Sequence, residues 1–519
     1  MARAAAGVAS RRSSERVPAS VTLSIVAHRT GYRPPPMQGY LKRLATSGAA
    51  YQASSLVAGF FAIFTLPLYT HHLTKAQLGY AETLLTAIIL ASIVLRFGVG
   101  EAFIRYYFDD DDALRRDRLA RRTTAFVLVT TTVAGLVALV FAGLLSQALL
   151  RTRDATLMAY GILGLWAFTN LEIAYALLRV DERRRTYLIA SVSNVVLTVV
   201  LTVTLVVIFD GGARGYVLGN YAASTVVLVG LWVFALRHRI GLDLRAPRAL
   251  GPLLRFGAPT VPADAAVFAL NVVDRAWLLR ADSPAAAGLY AVAVKLATVV
   301  IVAVRGFQAA WPPLAYSIED EDEARHLYAL VTTAYVVVTG LVVAGLTLLG
   351  RWVVRVLTAE SFYAAHKALP WVALGWALYG LFLVFVTIAG RAKVTTRTFP
   401  AAMIGLVVNV IGLAFLVGPL GPSGAGIALC VAYLAMLIAV HLLTRRLFVV
   451  PFDWPRLGRI VAVMAGVSVA GELLLPTSGV GGFVLRALAL AVIPLLLAPE
   501  LLRLRNELVN PAHVPRPIA

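Results

Sequence analysis

An acid and a base stand side by side in a stretch that is otherwise hydrocarbon. Residues 269–279 read "ALNVVDRAWLL": seven are aliphatic or Ala, one is Trp, and Asn271, Asp274 and Arg275 sit among them. A charge at the centre of a bilayer helix costs about 2.5–3.5 kcal/mol on insertion scales, so charges kept there pair with one another or face a hydrated path. Asp264, Lys295 and Arg305 lie in the same kind of surroundings, and so do Arg96 and Glu172 earlier in the chain. If residues 256–311 form a hairpin turning near 284–285, Asp274 falls level with Lys295 and Asp264 with Arg305. Asp264, Phe268, Asn271 and Arg275 then recur on one stripe at helical spacing. One reading is that the pairs only fasten one helix to the next, since buried charges are tolerated when paired. The other is a cationic, water-filled cavity. Arg96, Arg275, Lys295 and Arg305 would meet a phosphate group there, Arg through its bidentate fork and Lys as a point charge. Asp264, Asp274, Asn271 and Glu172 would pair with them or couple to an ion.

What positions these residues is a membrane architecture. The 519 residues are 59% hydrophobic and only 14% charged, against about 25% charged in soluble domains. A hydrocarbon core about 30 Å thick needs about 20 apolar residues per helix. Fourteen such runs lie between residues 48 and 502, joined by short polar or Gly/Pro turns. They do not alternate as barrel strands would, so the expected class is an all-α integral membrane protein. The net charge of +20 is not read as nucleic-acid binding, because the bases cluster between spans. The even-numbered connections and the C-terminal flank hold 24 Lys and Arg, the odd-numbered ones 8. The expectation is a multi-pass protein of the inner (plasma) membrane with both termini cytoplasmic. Residues 1–47 are Arg/Ser/Pro-rich and read as a disordered basic tail; an alternative start is Met37. The single cysteine, Cys430, excludes an internal disulfide, and no metal-ligand set or P-loop is visible.

The chain also repeats itself. "LGYAETLLTAIILASIVLRFG" from Leu78 lies over "AGLYAVAVKLATVVIVAVRGF" from Ala287, with Gly79 on Gly288 and Arg96 on Arg305. Gly215 falls on Gly424 in the same register. The expected organisation is a first lobe over 48–250, a second over 251–450, and two extra helices with a cytoplasmic tail over 451–519. An even number of helices per repeat makes the relating pseudo-two-fold axis run along the membrane normal, with a substrate site between the lobes.

Phe256-Gly257-Ala258-Pro259, Asp274-Arg275 and Gly288-Leu289-Tyr290 mark the seventh and eighth spans. With Gly79-Tyr80 and "VVNVIGLAFLVGPLGPSGAG", they make residues 45–450 resemble the polysaccharide transporter (oligosaccharide flippase) family. That family lies within the multidrug/oligosaccharidyl-lipid/polysaccharide exporter superfamily. The resemblance implies a fourteen-helix, two-lobed carrier moving a polyprenyl-diphosphate-linked oligosaccharide by alternating access. Its partners would be the lipid-linked substrate, membrane lipids and polysaccharide assembly enzymes. No bound cofactor is expected, with coupling to a proton or sodium gradient. Two other classes compete. A multidrug or metabolite exporter of the same superfamily would favour acidic cavity groups. An integral-membrane glycan polymerase or ligase would carry a long exterior loop, and connections such as 150–155 and 419–423 are too short for one.

Overall fold

A computed structural model describes residues 57–107, 112–239, 250–270, 272–318, 320–391, 398–446 and 448–509, all helical or irregular with no strand among them. The basic tail expected over 1–47 lies outside the described residues. In chain order the helices of the first half are α1 (Leu66–His72), α2 (Lys75–Leu95), α3 (Val99–Tyr107), α4 (Ala113–Val140), α5 (Ala142–Leu150), α6 (Ala155–Val180), α7 (Arg184–Val203) and α8 (Gly212–Gly230). Those of the second half are α9 (Gly251–Gly257), α10 (Val261–Ala269), α11 (Val273–Ala281), α12 (Pro284–Leu296), α13 (Thr298–Ser317), α14 (Glu321–Leu357), α15 (Leu369–Arg391) and α16 (Thr398–Thr444). Three more, α17 (Trp454–Leu474), α18 (Gly479–Leu496) and α19 (Ala498–Val509), close the chain.

Ten helices among the described residues are long and apolar enough to span a membrane, or eleven if a bent pair counts as one. The chain is a multi-pass membrane protein. Three features separate this count from the expected fourteen. The first span lies partly outside the described residues. The seventh is broken into α9, a single 3-10 turn at Ala258–Thr260, α10 and α11. The eleventh and twelfth run together as α16 across Gly421, whose φ of 53° and ψ of −131° turn the chain back between Pro419 and Pro422.

The breaks have local causes. Thr74 caps α2 in a capping box with Gln77, and Ser283 caps α12 by accepting from the Ala286 N–H with Pro284 just inside. These caps fall at corresponding places of the two repeats. The α2–α12 packing is reciprocal. A Cβ on Gly79 would strike the Pro284 carbonyl oxygen, and a Cβ on Gly288 would strike that of Lys75. Only glycine lets two backbones come this close, and a reciprocal contact between equivalent residues is what a local two-fold axis produces. Around it the small residues Ala81, Ala286, Ala287 and Ala293 join Leu78, Leu84 and Tyr290 in one buried cluster spanning both halves of the chain.

This contact lies at the end of the bundle that carries the base-poor connections. Farther along, the eighth span bends by 51° at Ala297, and α13 packs against α15. At the base-rich end α2 stops at Phe97 and Gly98, both with positive φ, and Gly98 rests on the backbone of Gly257 at the end of α9. The halves therefore touch near both ends. The last two spans attach to α14. Arg486 on α18 is fully buried and donates to Glu472 and to the carbonyls of Leu348 and Leu475. A guanidinium taken out of water is tolerated when its donors are met in this way.

Candidate functional site

The residues at "NVVDRAW" are placed by the break in the seventh span. Val272, with φ −121° and ψ −38°, ends the continuity between α10 and α11, and Asp274 and Arg275 enter the first turn of α11. A carboxylate is favoured there by the helix dipole, and Asp274 Oδ1 accepts the Arg275 N–H at 2.7 Å. The single polar stripe expected from Asp264 to Arg275 is therefore not continuous, because the helix restarts between its members. Asn271 and the side chain of Asp264 lie outside the described residues, and so does the expected Asp264–Arg305 pair.

The expected Asp274–Lys295 pair is replaced by another arrangement. The Tyr290 hydroxyl donates to Asp274 Oδ2, and Lys295 Nζ lies 2.7 Å from Glu82 Oε1 on α2. The reason is the turn. Ser283 and Pro284 start α12 at once, so the hairpin is centred near Asp282 rather than at 284–285, and the residue facing Asp274 lies five positions nearer the turn than Lys295. At 1.5 Å per residue that is a shift of about 7.5 Å. Lys295, carried deeper, meets the acid on α2 instead.

Glu82 is the centre of the cluster. Its Oε1 also accepts the Tyr216 hydroxyl from α8 at 2.7 Å, and Lys295 Nζ stands 5.8 Å from the Tyr216 ring centroid. Tyr69 of α1 closes the far side edge-on to Tyr216, with ring centroids 5.1 Å apart. Arg275 acts electrostatically on both Glu82 and Asp274. Glu82 is 7% exposed, Asp274 2%, Arg275 8% and Tyr290 0%. Two fixed acids face two fixed bases, so in this conformation the positive charge of Arg275 and Lys295 is compensated.

Arg96 and Arg305 lie on a second level. Fourteen residues of helix separate Glu82 from Arg96, about 21 Å along the axis. Arg96 caps the end of α2, with Nε 3.3 Å from the Ser92 carbonyl and a guanidinium nitrogen 4.0 Å from Glu172 of α6. Arg305 on α13 is exposed and acts electrostatically on Tyr379 of α15. Among the described residues it has no ion-pair partner. The four expected cations thus form two tiers, Arg275 with Lys295 near the base-poor end and Arg96 and Arg305 toward the other. Sequence reasoning missed Glu82, Tyr216 and Tyr290. Glu82 carried a usable signal, because a lone acid inside an apolar span marks a site by default.

The sequence from residue 45 to residue 317 matches the model of a family described as polysaccharide biosynthesis protein. The chain belongs to that family. The match takes in α1 to α13, and so holds every residue of both tiers. A search of curated proteins finds no match. Among solved structures the fold resembles that of "Lipid II flippase MurJ, inward closed conformation". The TM-score is 0.71 at 13% identity, covering 87% of this chain and 98% of that one. An inward-facing multidrug resistance MATE family transporter of the MOP superfamily gives 0.61 at 16% identity, covering 77% and 94%. A MOP superfamily transporter from Pyrococcus furiosus, described as having a binding pocket of reverse polarity, gives 0.56 at 15% identity, covering 78% and 94%. At these identities the likeness is one of fold. The family member has the fold of the MOP superfamily transporters, as the sequence resemblance implied.

Proposed function

We propose that this family member is a flippase that moves a polyprenyl-diphosphate-linked oligosaccharide across the inner membrane for cell-surface polysaccharide synthesis. It would work by alternating access, with both termini cytoplasmic. The observation that carries the reading is the Glu82–Lys295 ion pair, a buried acid and a half-buried base that join the two lobes at the end opposite the base-rich connections. In this account Arg96 and Arg305 receive the diphosphate from the cytoplasmic side. The anion then reaches Arg275 and Lys295, where it competes with Glu82 and Asp274 for the same cations. Exchanging a carboxylate partner for a phosphate partner releases the α2–α12 contact and lets the outer end open. Protonation of Glu82 would release Lys295 in the same way, which gives a route for coupling to a proton gradient. A multidrug exporter would need Glu82 or Asp274 to hold a cationic drug. Glu82 already faces Lys295 at 2.7 Å, so its charge is met by a fixed base rather than left open to a cation. The test is depletion of the protein in its host, followed by leaflet-specific labelling of lipid-linked oligosaccharide. Accumulation on the cytoplasmic leaflet is expected, and an unchanged distribution would reject the flippase reading.

A further inference from the structure

We infer that an apolar groove on α2, α4, α5 and α6 holds the phosphate-proximal isoprene units of a polyprenyl phosphate lipid, with Arg280 at its mouth meeting the phosphate. This rests on the flippase reading, and it adds a place for the part of the substrate that never leaves the bilayer.

The groove has a volume of about 340 Å³, within the range of small-molecule sites. Its walls include Ala87 and Ala91 of α2, Ala138 of α4, Leu145 of α5, and Met158 and Gly161 of α6. It exists because the third span is interrupted at Phe141, where α4 ends and α5 begins. From Leu84 to Ala91, and from Met158 to Leu165, it runs about 10 Å along the helices. Every lining residue is apolar except Arg280.

Arg280 comes from α11, the helix that carries Asp274 and Arg275. It is exposed, and its guanidinium donates to the Ala148 carbonyl at the end of α5. That bond uses one of five N–H donors, and among the described residues it is the one Arg280 makes. Arg151 and Arg153 stand at the same helix end, with Arg153 Nε 3.2 Å from Gln147 Oε1. A helix C-terminus attracts cations, which accounts for part of this cluster. It does not account for an apolar groove opening directly beside it. A groove with basic residues at its mouth is complementary to a lipid with an anionic head. One channel suits a lipid with one chain, whereas a phospholipid brings two. The Ala and Gly lining leaves gaps into which the methyl branches of an isoprenoid fit.

The test uses the full-length protein in nanodiscs with a diazirine-bearing polyprenyl phosphate as probe. Photolabelling is expected on peptides containing residues 84–91 and 158–165. Unlabelled polyprenyl phosphate should displace it, and phosphatidylglycerol at equal concentration should not. Ala91→Phe from one wall and Ala138→Leu from the other should each lower that labelling about tenfold, and Arg280→Gln should weaken probe binding by a similar factor. Two variants on different helices guard against one failing to fold. Labelling spread over the lipid-facing surface, indifferent to both wall variants, overturns the inference, as does equal displacement by phosphatidylglycerol. A parallel vesicle assay separates the two claims. Glycan movement without groove labelling rejects the groove alone, whereas groove labelling without glycan movement rejects the flippase reading.

Discussion

Four side chains from three helices, Glu82, Lys295, Asp274 and Arg275, make a neutral set at the lobe interface. Removing one member of a fully buried ion pair costs about 3–5 kcal/mol, and less where one partner is half-buried as Lys295 is, whereas replacing both with apolar groups can be close to neutral. Lys295→Met alone should therefore weaken closure of the outer end strongly, and Glu82→Gln with Lys295→Met should restore much of it. Distances between spin labels placed on either side of the α2–α12 contact would read the populations. An additive double variant would mean that the pair does not hold the lobes. The glycines beside it act by shape. A methyl group at residue 79 meets the Pro284 carbonyl, so Gly79→Ala should also shift the population toward an open outer end. An unchanged closed population in Gly79→Ala would contradict the reciprocal packing. At this scale the sequence was legible in residue type and not in partner. Charges inside apolar runs announced a site, but nothing local to Lys295 points to an acid on a helix of the other lobe.

The elements show the same division. Hydropathy located the spans, because lipid demands long apolar runs, and the repeat placed Gly79 and Gly288 as equivalents before their contact was known. The break in the seventh span was not legible, since "NVVDRAW" lies in an unbroken apolar window. The turn before α12 does carry a sequence signal: Ser283-Pro284 is a helix-start signature, which centres the hairpin near residue 282 and sets Asp274 opposite Tyr290 rather than Lys295. A separate element offers a pH test. The short turn Glu360–Lys367 packs against α14, and the residue before it, Ala359, donates its N–H to Thr70 of α1 at 3.0 Å. Burial lowers the pKa of His366 below the usual histidine value, and its Nδ1–H donates to the Tyr363 carbonyl at 2.7 Å. A histidine whose folded pKa is depressed costs nothing well above its unfolded pKa of about 6.5. As pH falls below that value the unfolded turn takes up the proton first, and local stability is lost progressively down to the folded pKa. Amide protection in residues 360–367, corrected for the slowing of intrinsic exchange by acid, should fall between neutral and mildly acidic pH, and His366→Gln should flatten that response. A pH response that persists in His366→Gln would assign it to another group.

The 24-to-8 distribution of bases predicts that a reporter requiring export will be silent when fused after Arg505; activity there would invert the orientation and with it the direction of the path. The central claim is that cations from both lobes carry a lipid-linked diphosphate. Its most direct test is purified protein in sealed vesicles containing a labelled polyprenyl-diphosphate oligosaccharide, with transbilayer movement followed in wild type, Arg96→Ala, Arg305→Ala, the double variant and the two Lys replacements. Wild type should move the lipid. The Ala variants should lose movement by at least tenfold while remaining monodisperse, and the Lys variants should recover part of it, since charge returns without the bidentate fork. Undiminished movement in the Arg96→Ala, Arg305→Ala double variant would contradict the account.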